Sequence, residues 1–142
     1  MLREDWNALF ESLEKTRDIV SGWEAMPPDE KATRCEHSRH RTLAHLRACQ
    51  EQWMVVVDEF LSRNNPNVTI LHPWRKFDQG GYGEIPWEEH LTRFLADRDR
   101  WLAWKDSVDW NRGGKMNRKP DTVGGLTQRL ANHEAYHINL FG

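Results

Sequence analysis

The sequence has two cysteines, Cys35 and Cys49, in 142 residues, too few to staple a small secreted scaffold. It has no excess of positive charge. Its 20 Lys and Arg stand against 22 Asp and Glu, a formal net charge of −2, so no overall basic field recruits nucleic acid or an anionic membrane. Apolar runs stay short, as in Met54–Val57, far below the ~20 residues that a membrane-spanning helix requires. The opening MLREDWNALF carries acids where a secretory signal needs a basic start and an apolar run. No internal repeat or low-complexity tract is present. Together these absences predict one domain over residues 1–142, cytoplasmic with reduced thiols, whose partners are small molecules or proteins.

What the sequence does hold is helical periodicity in four segments, separated by stretches rich in Pro, Gly and Asn. In the first, Leu2, Trp6, Leu9, Leu13, Thr16, Val20 and Trp23 recur at alternating steps of four and three, which lines one face of a helix. Pro27-Pro28-Asp29-Glu30 then breaks the pattern. The second runs through Leu43, Leu46, Gln50, Trp53, Val57 and Phe60, with Ser38 as a candidate N-cap and Thr33-x-x-Glu36 as a rival capping box. The third opens at Pro86, suited to a first helical position, with Glu88 and Glu89 in the first turn. It continues through Leu91, Phe94, Leu95, Trp101 and Leu102. The fourth starts from Asp121 or Thr122 as cap and reads Val123, Leu126, Leu130, His133, His137, Leu140. The pattern predicts helices near 2–22, 38–62, 86–109 and 122–140.

That last row contains His133-Glu134-Ala135-Tyr136-His137, the H-E-x-x-H pattern of zinc proteases. With seven histidines in 142 residues, chance alone supplies roughly a third of one His pair at this spacing, so position matters more than spelling. His133 and His137 take stripe positions where Leu or Val would otherwise stand, and they face the core. Burying two imidazoles costs about a few kcal/mol unless their nitrogens find partners, either buried polar groups or a divalent ion. A protease of this motif takes its third ligand from downstream, yet five residues follow His137. A third ligand therefore comes from upstream: His37, His40, His45, His72 or His90, with Cys49 as an outside choice.

His45 lies on the flank of the second segment's stripe, early in that helix, while the pair lies late in the fourth. If these ends meet, the two helices are antiparallel. The short link around Asn111–Asp121 suits antiparallel neighbours, which sets the third helix parallel to the second. Asn64–Ile85, 22 residues, is long enough to cross between them. The expected architecture is all-α: an up-down-down-up four-helix bundle with a long crossover between helices 2 and 3 and a three-His site between helices 2 and 4.

The stretch SRHRTLAHLRACQEQW (38–53), the Pro86-Trp87 opening of the third helix and the terminal H-E-x-x-H resemble the DinB/YfiT-like superfamily of metal-binding four-helix bundles, across nearly the whole chain. The resemblance implies that His45, His133 and His137 form a metal triad. His37 is a departure, standing where the family often has Trp before the cap of helix 2. The family includes transferases that use low-molecular-weight thiols, a mycothiol-dependent isomerase and proteins once labelled hydrolases, so fold and ligands carry over better than reaction. A homodimer is also implied, and the Trp-rich helices suggest surplus apolar surface.

Other features carry less. Glu134 is a candidate general base, though it sits off the His face, at the edge of the site. Tyr136 and Asn132 read as ordinary helix residues. Cys49 lies one turn after His45, where a small buried hydrophobe is the commoner fate. Gly80-Gly81-Tyr82-Gly83-Glu84-Ile85-Pro86 follows no strand and lacks the third Gly of a phosphate loop, so it reads as a turn, with a lid role for Tyr82 as a further reading. Arg112, Lys115, Arg118 and Lys119 read as a solvated loop, or as a grip on an anionic substrate. Two functional classes follow. Three His leave a fourth position for water, a substrate oxygen or a thiolate, as in catalytic sites; zinc or nickel suits the imidazoles. The likeness to thiol-using members points to transfer of a low-molecular-weight thiol to a small electrophile, with hydrolysis as the alternative. The other class is a non-catalytic metal-binding or stress-response bundle.

Overall fold

The computed structural model describes residues 1–25 and 38–139. The expected break at 27–30, the rival cap at 33–36, Cys35, His37 and Leu140 lie outside the described residues. The chain is mostly helical: α1 Arg3–Gly22, α2 Arg39–Ser62, α3 Pro73–Gln79, α4 Trp87–Leu102 and α5 Val123–Asn139, with a small sheet of β1 Asn67–Val68, β2 Gly113–Met116 and β3 Lys119–Thr122.

Local chemistry explains the helix ends. In α1 the carboxylate of Asp5 accepts from the Leu2 amide at 3.0 Å, and the inward row Trp6, Leu9, Phe10, Leu13, Thr16 and Val20 is buried. Ser38 caps α2, its hydroxyl accepting from the Arg41 amide at 3.1 Å. Thr122 caps α5 by accepting from the Gly125 amide at 3.0 Å. The third predicted helix ends at Leu102 and not near 109. After it the backbone tightens, with Trp104 donating to Trp101 and Lys105 to Leu102. Trp6 Nε1 takes the Lys105 carbonyl at 2.7 Å, which holds this turn against α1.

The sheet is absent from the all-α expectation. Its hairpin turns at Asn117 (φ 51°) and Arg118 (φ 70°), the left-handed pair of a tight two-residue turn. Asn-Gly would advertise such a turn; Asn-Arg does not. β2 pairs antiparallel with β3 and parallel with the two residues of β1, so the crossover is tied to the link before α5. Gly114 is needed there, because a Cβ would stand 2.6 Å from the Pro66 carbonyl and 2.9 Å from the Phe60 ring.

Contacts fix how the helices lie. Arg47 meets His90, Gln50 meets Phe94 and Arg98, and Asp58 meets Arg100, so partner numbers climb together along α2 and α4. Along α1 and α4 they run oppositely: Leu13 meets Arg98, while Trp6 meets Lys105 beyond the helix end. The main core, with Trp6, Phe10, Leu13, Val57, Phe60, Trp101, Leu126 and Leu130, sits towards the sheet end. A second cluster around Leu43, Leu46, Trp87 and Phe94 fills the other end.

The crossover is clamped to α2 and α4 by polar groups. The Tyr82 hydroxyl donates to Glu51 at 2.5 Å, and Arg47 donates to the same carboxylate at 2.7 Å. His90 donates through Nε2 to the Tyr82 carbonyl at 2.9 Å and accepts at Nδ1 from Arg47 at 3.1 Å. His40 donates to the Ile85 carbonyl at 3.2 Å. Two of the candidate ligands thus hold the crossover, and Tyr82 is buried against α2.

Burial pushes the His90 imidazole down from 6.5 to about 4; the Tyr82 carbonyl opposes the shift and Arg47 adds to it. Above pH 6.5 the group is neutral in folded and unfolded chains alike and nothing is lost. As pH falls below that, the unfolded imidazole takes up a proton first, so stability falls between 6.5 and about 4. Denaturant unfolding at pH 7 and pH 5 is expected to lose about 2 kcal/mol through this group. In His90→Gln that share of the loss should vanish; an undiminished pH dependence would contradict it.

Candidate metal centre

His45 lies in the first half of α2, and His133 and His137 lie one turn apart near the end of α5. The packing of α2 against α5 brings them together. One ring nitrogen from each falls within 4.8 Å of the others, and Nε2 of His45 stands 3.0 Å from Nε2 of His133. The rings meet edge-on, with centroids 4.6–4.9 Å apart. His45 is 2 % exposed, while His133 and His137 are half-buried. The group therefore has a covered side on α2 and a more open side on α5.

Burial, and the basic groups around them, keep His45 and His133 neutral. Burial lowers the His45 imidazole to about 3, helped by His133, His137, His72 and Arg41. His133 falls to about 4 through burial and then His137 and His72. Every group named as acting on either ring is itself basic, and an excess proton is unwelcome. A lone pair on each ring is what a divalent ion requires. An ion bound tetrahedrally at about 2.0–2.1 Å holds two imidazole nitrogens about 3.3 Å apart, close to the 3.0 Å found. The donor set fits a borderline-soft ion such as zinc or nickel.

Orientation comes from an aromatic residue that the sequence did not single out. Trp74 in α3 stacks on the His45 ring at 3.9 Å and 11°, and Arg41 lies 4.7 Å over the same indole. Nδ1 of His45 and of His133 are buried without a hydrogen-bond partner among the described residues. Ligating histidines commonly gain their orientation from an acceptor at that nitrogen; here stacking holds His45. The one advance signal was the His72-Pro73-Trp74 run, in which His72 Nδ1 accepts from the Trp74 amide at 3.3 Å and starts α3.

The remaining candidates stand outside the triad, with His72 near enough to act on His45 and His133. His72 is exposed at the cap of α3. Cys49 is buried, its thiol pushed up by burial and by Glu134. Tyr136 is 65 % exposed. Glu134 is fully buried and ion-paired with Arg98; burial raises its carboxyl and Arg98 opposes that. Arg112 donates to the carbonyls of Phe60 and Arg63. Lys115, Arg118 and Lys119 belong to the hairpin before α5. About ten helical residues, some 15 Å, separate that end of α5 from His133. A cavity of about 340 Å³ lies beneath the crossover, lined by Glu51, Gln52, Val55, Val68, Ile70 and Lys76 among others. The three histidines are not in its lining.

No curated protein and no solved structure matches the chain. One family model, that of the DinB superfamily, matches residues 1–141. With a match along all but the last residue of the sequence, the chain belongs to the DinB superfamily.

Proposed function

We propose that this chain is a divalent-metal-dependent enzyme that transfers a low-molecular-weight thiol to a small electrophile, with His45, His133 and His137 holding zinc or nickel. The convergence of the three imidazoles carries the proposal. A divalent ion there supplies the charge that favours proton loss from a thiol or from water. The chain's residues do the rest. Burial keeps His45 and His133 neutral, and Trp74 fixes and covers one face of His45. Approach is from the α5 side, where the other two rings are half-buried. Transfer forms one carbon–sulfur bond and breaks the bond from that carbon to its leaving group, which departs with the electron pair. The thiol proton passes to solvent, and no protein nucleophile is needed.

Membership of a family that includes thiol users favours a thiol over water. A reducing cytoplasm fits such a cosubstrate. We also infer that the four long helices form an up-down-down-up bundle, which the climbing α2–α4 contacts support. A homodimer is the assembly that the family resemblance implies; the tryptophans do not add to it, since none of the eight is exposed.

Purified protein is expected to carry about one equivalent of a divalent ion, and the His133→Ala, His137→Ala double variant none. Elemental analysis that finds no metal in the wild type, or equal metal in both, sinks the metal site. The metal-loaded protein is then assayed with glutathione, bacillithiol, mycothiol or cysteine and a chromogenic electrophile, alongside esters and amides. Turnover with a thiol is expected; turnover of esters or amides alone makes it a hydrolase, and turnover of nothing makes it a non-catalytic bundle. Light scattering should return twice the chain mass, and a monomer mass rejects the dimer.

A further inference from the structure

Arg98 is fully buried, and its guanidinium reaches three other helices at one level. Nη1 donates to the Leu13 carbonyl on α1 at 3.1 Å, Nε donates to Gln50 on α2 at 2.9 Å, and Nη2 pairs with Glu134 on α5. Gln50 in turn donates to the Phe94 carbonyl on α4 at 3.2 Å. Both members of the ion pair are 0 % exposed. Two of the acceptors lie on the helices that carry the histidines: Gln50 is five residues beyond His45, and Glu134 is adjacent to His133.

We propose that Arg98 and Glu134 are positioning residues for the histidine triad. The pair, with Gln50, fixes the rotation and axial register of α5 against α2, so that His133 and His137 face His45. The Glu of the H-E-x-x-H run then acts through Arg98 and not on the reacting atoms. This rests on the triad holding a metal. A one-residue slip turns a helix by about 100° and shifts it about 1.5 Å, whereas metal–ligand distances tolerate about 0.2 Å. Burial of Val123, Leu126 and Leu130 selects the face of α5 that turns inward, but apolar contact is non-directional and does not by itself hold the ligands to that tolerance. A forked guanidinium with fixed donor directions does. Glu134 also sits next to one ligand and three residues from the other, so any rotation that it allows moves both.

The test separates positioning from stability. Removing one partner leaves a buried charge and destabilises, but replacing both members of such a pair with apolar residues of similar size often preserves the fold. The Arg98→Met, Glu134→Met double variant is therefore compared with the wild type in three measurements. These are apo stability by denaturant, zinc affinity by competition with a chromogenic chelator, and the visible spectrum of the cobalt(II)-loaded protein. The expected result is a folded variant with zinc affinity reduced about tenfold or more and altered cobalt bands. A folded variant with wild-type affinity and an unchanged cobalt spectrum overturns the proposal. If the double variant does not fold, Arg98→Lys keeps a charge opposite Glu134 but cannot span the three acceptors. It is expected to lose affinity similarly, and unchanged affinity there also overturns the proposal. A wild type that takes up no zinc or cobalt is a different failure, that of the metal site itself.

Discussion

A single buried cation sets the geometry on which the rest of the structure depends. Arg98 has no solvent contact, and taking a guanidinium out of water costs several kcal/mol unless its donors are met. They are met by a backbone carbonyl, an amide and a carboxylate from three different elements. A core of Leu, Val and Trp tolerates small shifts and volume-conserving repacking; a forked donor with acceptors at fixed directions is more exacting. On the reading proposed above, the polar pair contributes specificity of arrangement more than stability.

A second polar set performs the same service for the crossover. Arg47, Glu51, Tyr82 and His90 join α2, α4 and the turn after α3. Because α3 carries Trp74, this set also determines where the indole lies over His45. The histidines that were rivals for the third ligand turn out to divide the labour. His45 joins the pair on α5, whereas His40 and His90 hold backbone carbonyls.

Much of the helix pattern was legible because apolar residues at steps of four and three leave few alternatives. The stripe of α1 and the Ser38 and Thr122 caps stand where the spacing placed them. The His133–His137 pair was legible for a related reason, since both occupy positions that would otherwise be apolar, whereas His45 was singled out from its rivals by the family resemblance. Three features were not legible. The early end of α4 depends on Trp6 taking a distant carbonyl, a tertiary contact without local trace. The hairpin uses Asn-Arg at left-handed positions, where only Asn carries a signal. Arg98 sits in the run Ala96-Asp97-Arg98-Asp99-Arg100, whose alternating charges carry no cue to burial; its fit among three other helices reveals it as interior.

The ligands of the triad lie far apart along the chain: 88 residues separate His45 from His133. In a small zinc module the ligands are near neighbours in sequence, and the metal can draw a short loop together before the rest is ordered. Here the loop to be closed spans most of the molecule, and its closure entropy grows with length. The three nitrogens meet only after α2 and α5 have packed. On the proposed metal reading, an ion would bridge two helices distant in sequence, and its binding energy would stabilise the packed arrangement of α2 and α5 as a whole and not a short local loop. Selectivity among ions would then rest on the geometry in which the two helices present the three rings.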